Sequence, residues 1–251
     1  IPNNNIALAK LAQALVSGAI VLAIEGNFDD GLRIVKDLTS NYPISMLNSL
    51  NPYRLEGQKT GAYEVCDFLG KAPDFHFIPV GNAGNITAYW KGYKEYHALG
   101  YIENLPKMCG FQAAGAAPLV LGHNVDEPET VATAIRIGHP ARGVEALQAR
   151  DESGGLIGMA TDEEILEAQK TTAALSGIFG EPACAAPLAG IKKLAAQGYF
   201  AQARQELGRK PVVVSVVTGT GLKDPNTAIR IGGAPTVVPA KSEAVLRAIG
   251  F

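Results

Sequence analysis

Apolar positions along the chain recur at two alternating spacings. Ile6, Leu8, Leu11, Leu15 and Val16 follow a helical period behind Asn5, whose side chain can cap, and Gly18 ends the run. The unbroken apolar stretch AIVLAI (19–24) then predicts a buried strand. The pair repeats: FDDGLRIVKDL (28–38) predicts a helix, PISML (43–47) a strand, 53–70 a helix, FHFIPV (75–80) a strand, and a helix opens near Asn85. Strand and loop are expected over 106–122, then a short helix over 127–138 ended by Gly138, a helix over 141–153 and a strand over 154–160. Thr161 and Glu164 form a capping box for the next helix. A helix over 181–198 should be interrupted or kinked at Pro187, a β-branched strand within 210–224 runs into a glycine turn, and a helix over 242–249 closes the pattern. Strands alternating with helices imply parallel strands joined by crossovers, the α/β class.

Composition narrows the partners. The 251 residues are 47% hydrophobic and 18% charged, enough apolar surface for one large core or two smaller ones. A net charge of -2 and no long Lys/Arg run give no electrostatic footprint for nucleic acid or an anionic membrane, so a small anion would need a local site. Cys66, Cys109 and Cys184 form no C-x-x-C pair, which argues against a disulfide framework or zinc and fits a reducing cytoplasm. No apolar stretch reaches the roughly 18–20 residues of a bilayer span, and no targeting segment is expected. His76, His97, His123 and His139 are scattered without metal-ligand spacing.

Three turns carry candidate chemistry. Gly81, Asn82, Ala83, Gly84 and Asn85 lie between a predicted strand and helix, where backbone N–H groups and the helix N-terminus can converge on an anion; an ordinary tight turn is the alternative. Asn48, Ser49 and Arg54 place an amide, a hydroxyl and a guanidinium before a helix, a set suited to phosphate or carboxylate, or else an Asn/Pro turn with a surface arginine. Thr218 and Thr220 end an apolar strand, and a hydroxyl there can hydrogen-bond a ring nitrogen without favouring its full positive charge as a carboxylate would.

Taken together, the segments NSLNPYRLEGQKTGAYEV, PVGNAGNITAYWKGYKEYHALG, GFQAAGAAPLVLG, EPETVATAIRIG, ESGGLIGMATDEEILEA and TGTGLKDPNTA resemble the bacterial threonine synthase family nearly end to end. The resemblance implies a fold-type II pyridoxal 5′-phosphate (PLP) enzyme, like the tryptophan synthase β chain, with parallel sheets, helices on both faces and two domains. The first 79 residues would form mostly the small, substrate-side domain and 80–251 the large cofactor domain. It implies that Gly81, Asn82, Ala83, Gly84 and Asn85 wrap the cofactor phosphate and that Thr218 meets the pyridine nitrogen. Asn48, Ser49 and Arg54 would bind the phosphate of O-phospho-L-homoserine, and Ala134 would line the substrate pocket. The implied reaction turns that substrate and water into L-threonine and phosphate, in a cytoplasmic enzyme that can pair as a homodimer.

The sequence also departs from the family. Its Schiff-base lysine stands in an S-x-K-D segment, and no lysine here does, so the catalytic lysine is unassigned. The chain is expected to begin about one hundred residues into the family's length, with the first elements of the fold incomplete. A threonine or serine dehydratase, a non-catalytic remnant, or half of a split enzyme are the alternatives. His139, Gly180, Cys184 and Thr220 also differ from the family's usual residues.

Overall fold

The computed structural model describes residues 8–26, 28–48 and 51–251. Four parallel strands form its sheet: β1 (Phe75–Pro79), β2 (Lys107–Ala113), β3 (Leu156–Ala160) and β4 (Val213–Ser215), in the order β3-β2-β1-β4. Phe77 is the register partner of both Cys109 on β2 and Ser215 on β4, so β1 is central and all five of its residues are buried. A parallel strand covered on both faces carries a near-continuous apolar run, which FHFIPV supplies.

Alternate residues of β1 feed two cores. Phe75 and Phe77 pack with Phe111 and the alanine-rich helix α9 (Pro182–Ala196), whereas Ile78 and Val80 pack with Ile86, Trp90 and Tyr93 of α5 (Gly84–Ala98). The period of two along a strand dictates this division. Flanking α9 are α8 (Asp162–Ser176) and α10 (Tyr199–Leu207); flanking α5 are α4 (Thr60–Leu69) and α7 (Gly143–Ser153). Helix α9 comes close to the sheet because Gly190 leaves room for the Phe111 ring, 2.3 Å from where a Cβ would stand.

Most expected elements form, including the Thr161 and Glu164 capping box at the head of α8. Helices α1 (Leu8–Val16) and α2 (Phe28–Asn41) match the periodic segments, while the capping role expected of Asn5 lies outside the described residues. The strands expected at 19–24 and 43–47 are absent, and Ile20 is 89% exposed. Strand backbone is stable only when a run of its N–H and C=O groups meets a neighbouring strand; among the described residues neither segment pairs with a strand, and Ile24 stands in an isolated bridge. The expected helix 53–70 divides at Lys59 into α3 (Pro52–Gln58) and α4. The helix expected over 127–138 shrinks to a 3-10 turn at Thr133–Ile135. Its chain is pinned instead by Asp162, which accepts from the Thr130 hydroxyl (2.5 Å) and the Val131 N–H (2.9 Å). Helix α9 runs uninterrupted through Pro187, whose side chain is fully buried. Three helices follow patterns the spacing did not single out or bounded loosely: α6 (Pro118–Leu121), α10, and α11 (Pro225–Gly232); α12 (Ser242–Ala248) closes the chain as expected.

Candidate functional site

From β1 the chain steps to β2 and β3 on one side and later places β4 on the other. The crevice beyond the carboxyl ends of β1 and β4 is therefore a topological switch point, where open α/β sheets bind ligands. A cavity of about 690 Å³ lies there. It is bounded by Gly81, Asn82, Ala83, Gly84 and Asn85 after β1 and by Thr218 after β4, with Arg54 of α3 and Ala134 of the 3-10 turn on its other walls.

The turn after β1 is held from outside the cavity. Asn85 Nδ2 donates to Pro79 O (2.7 Å), Asn82 O accepts from the Arg142 N–H (3.1 Å), and the Thr87 hydroxyl donates to Ala83 O (2.8 Å). Ala83 takes a left-handed conformation at φ 65°, which an L residue adopts only when its surroundings impose it. Gly81 passes so close to the 3-10 turn that a Cβ would stand 3.0 Å from Ile135 Cα and 3.2 Å from Ala134 O. Gly84 differs, since a Cβ there would meet nothing within 4 Å. Among the described residues, none of the backbone N–H groups from Gly81 through Asn85 donates to a protein acceptor. Orphan donors at a helix N-terminus, beside a glycine with open space, make a cradle for an anion.

Arg54 lines the same cavity, and its guanidinium has no carboxylate partner among the described residues. Helix α3 is fixed by Asn51, whose side chain accepts from the Tyr53 N–H (2.8 Å) and donates to Met46 O (2.6 Å). Behind α3, Lys59 Nζ pairs with Glu56 and Glu95 at 2.7 Å each, and Glu56 also meets Lys91. These contacts bind the α3–α4 junction to α5. The two lysines beside it hold the Glu56 carboxyl down at about 2.

Other expected residues are placed differently. Asn48 is partly buried and its carbonyl accepts from the Asn51 N–H (3.1 Å), but it does not line the cavity; Ser49 lies outside the described residues. Thr220 caps the following 3-10 turn, accepting from the Leu222 N–H (3.3 Å), so of the two threonines only Thr218 reaches the cavity. His139 is an exposed partner of Asp126 (3.2 Å). Gly180 and Cys184 are complementary: a Cβ at Gly180 would stand 2.3 Å from Cys184 Sγ. Burial pushes the Cys184 thiol up to about 11. The spacing did not single out Glu181, Tyr89 or Gln58, which also line the cavity. Pro182 at the head of α9 was the one local sign that Glu181 stands at a helix entrance.

Residues 2–219 match the family described as Pyridoxal-phosphate dependent enzyme. A threonine synthase of Mycobacterium bovis is 52% identical over all of this chain and 68% of its own length, and one of Halalkalibacterium halodurans is 53% identical over 98% of this chain and 68% of its own. Among solved structures, the processed form of threonine deaminase isoform 2 from Solanum lycopersicum superposes with a TM-score of 0.71 at 19% identity, covering 92% of this chain and 60% of that one, a likeness of fold alone. The orphan N–H cradle, the switch-point cavity and these similarities agree, and the chain belongs to the threonine synthase family of pyridoxal-phosphate dependent enzymes.

Proposed function

We propose that this chain carries the cofactor-phosphate and substrate-phosphate elements of an enzyme converting O-phospho-L-homoserine and water to L-threonine and phosphate. The observation behind this reading is that two anion-binding elements, the Gly81–Asn85 turn and Arg54, face one cavity. An unphosphorylated substrate would leave the second without a purpose.

The residues fit PLP, because the cradle offers unpaired N–H donors to its phosphate and Gly84 leaves room for close approach. Bound there, the cofactor supplies an electron-withdrawing ring that stabilises negative charge on substrate carbons next to the bound nitrogen. Gly81, Asn82, Ala83, Gly84 and Asn85 hold the phosphate, and Thr218 orients the ring through its nitrogen. Arg54 binds the substrate phosphate and stabilises the charge it carries away on leaving. Ala134 limits the pocket beside the substrate. The division into a substrate-side unit over the first 79 residues and a cofactor unit over 80–251 belongs to the same proposal. Three free, buried thiols support a reducing, cytoplasmic setting. Pairing with a second copy is a separate expectation, for which sedimentation velocity is the test.

Calorimetry with the chain is the direct experiment. PLP should bind, and O-phospho-L-homoserine should bind in its presence; Arg54→Ala should weaken the second by about tenfold or more, one lost charge-assisted bond, and leave the first within about twofold. Equal loss of both, or binding of threonine in preference to the phosphorylated substrate, overturns the assignment. Keto acid from threonine, without phosphate release, would identify a dehydratase instead.

A further inference from the structure

Helix α3, which carries Arg54, has no buried residue. An apolar face pressed into a core ordinarily fixes how a helix is rotated, so α3 must take its orientation from polar tethers. At its head Asn51 supplies one, through Met46 O and the Tyr53 N–H. At its tail a clamp of two lysines and two glutamates ties it to α5: Lys59 Nζ lies 2.7 Å from Glu56 Oε2 and 2.7 Å from Glu95 Oε2, while Lys91 pairs with Glu56 and reaches Glu95 at 3.8 Å. Each cation therefore bridges both carboxylates. Glu95 also accepts from the Tyr63 hydroxyl, and the Tyr63 ring stacks on Tyr96 with centroids 4.1 Å apart. The backbone is seated just as closely, since a Cβ at Gly92 of α5 would stand 2.3 Å from Lys59 O. Within the clamp the Lys59 side chain is the best shielded, at 19% exposed.

The clamp and Arg54 occupy opposite sides of α3. Successive residues turn by about 100°, so Glu56 stands about 200° from Arg54, and holding Glu56 against Lys91 turns the guanidinium toward the cavity that Arg54, Gln58 and Gly61 line. A rotation of about 10° shifts a side chain at the helix surface by about 1 Å, enough to spoil a charge-assisted pair. Helix α5 is the common support, because its N-terminus completes the Gly81–Asn85 turn and its body carries Lys91 and Glu95. Lys59 itself does not line the cavity. Exposed ion pairs add little to stability, yet a network of fixed geometry still selects one orientation. On the assignment of Arg54 to the substrate phosphate given above, we infer that Lys59 is a positioning residue for Arg54: by clamping Glu56 to Glu95, it fixes the direction and spacing of the guanidinium relative to the cofactor-phosphate cradle.

Calorimetry at constant ionic strength tests this with Lys59→Met, Arg54→Ala and the two combined. Lys59→Met keeps the apolar stem and removes the charge. O-phospho-L-homoserine, titrated with PLP present, should bind it about tenfold more weakly, whereas PLP should bind within about twofold of the unaltered chain. Lys59→Arg, whose fork can engage both carboxylates, should recover the substrate affinity to within about threefold. If Lys59 acts through Arg54, the combined variant should bind the substrate within about twofold of Arg54→Ala alone. A residue that merely stabilised the fold would weaken PLP and substrate together, and its loss would add to that of Arg54. Either result overturns the inference, as does an unchanged substrate affinity in Lys59→Met. Should Lys59→Met fail to fold, Glu95→Gln opens the same clamp from α5 with the same expectations. An Arg54→Ala chain that binds the substrate as tightly as the unaltered one would instead fell the phosphate assignment, and the inference with it, whatever the Lys59 variants show.

Discussion

Replacing Gly84 with alanine separates what the fold requires from what the ligand requires. Gly84 is the first residue of α5, with helical rather than left-handed backbone, and a Cβ there meets no atom within 4 Å. The fold therefore gains from the change. Glycine is more costly to order than alanine, and in the first turn of a helix the difference is about 0.5 kcal/mol. For a chain of this length that corresponds to a melting temperature about 1–2 °C higher. The methyl group, however, projects into the cavity beside the orphan N–H groups. Displacing a phosphate oxygen by about 1 Å sacrifices at least one charge-assisted hydrogen bond, worth about 1.5–3 kcal/mol, so PLP affinity should fall roughly tenfold to a hundredfold. Scanning calorimetry without ligand, then titration with PLP, reads both quantities on one sample. A Gly84→Ala chain that melts lower would show that the fold needs the glycine, and one that binds PLP as before would refute the cradle. Gly81→Ala is the contrasting case, since its Cβ would press on Ile135 Cα and Ala134 O and should lower stability as well as binding.

Gly92→Ala would place a Cβ 2.3 Å from Lys59 O and 2.9 Å from Ala62 Cβ, wedging α4 from α5; urea unfolding should register a loss of about 2–3 kcal/mol, and a loss under 1 kcal/mol would mean the junction yields freely. His76 is fully buried, with Nδ1 2.9 Å from the Tyr93 hydroxyl, and burial lowers its pKa from 6.5 to about 3. Because the unfolded chain takes up that proton first, stability should fall as pH drops from about 6.5 toward 3, by up to about 1.4 kcal/mol per unit. In His76→Gln the dependence should be shallower in urea titrations at pH 6.5 and 4.5; identical slopes would assign it elsewhere. Asp74 accepts from Arg209 at 2.7 and 2.8 Å and from the Val212 N–H at 2.6 Å, and these donors hold its carboxyl below the ordinary range. Because Arg209 is half exposed, Asp74→Ala should cost only about 1–2 kcal/mol, measured as a lower urea midpoint at pH 7.

The sequence by itself determined the strand–turn–helix at 75–98, the capping box at Thr161, and the residue types of both proposed anion sites. Each depends on neighbours within a few positions: an apolar run, a glycine with free backbone, a hydroxyl three residues from a glutamate. Tertiary structure decided the rest. AIVLAI and PISML carry strand composition but find no strand to pair with among the described residues, so local propensity failed there. The TGTG stretch is one motif in sequence, yet pairing through β4 aims Thr218 at the cavity and leaves Thr220 as a cap. Glu181 was legible only as a residue before a proline; its place on the cavity wall rests on Gly219, 38 positions away in the chain but 2.8 Å away through its carbonyl. Periodicity records which face of an element is buried, whereas a site at a switch point is built by strands that are distant in sequence and adjacent only in the sheet.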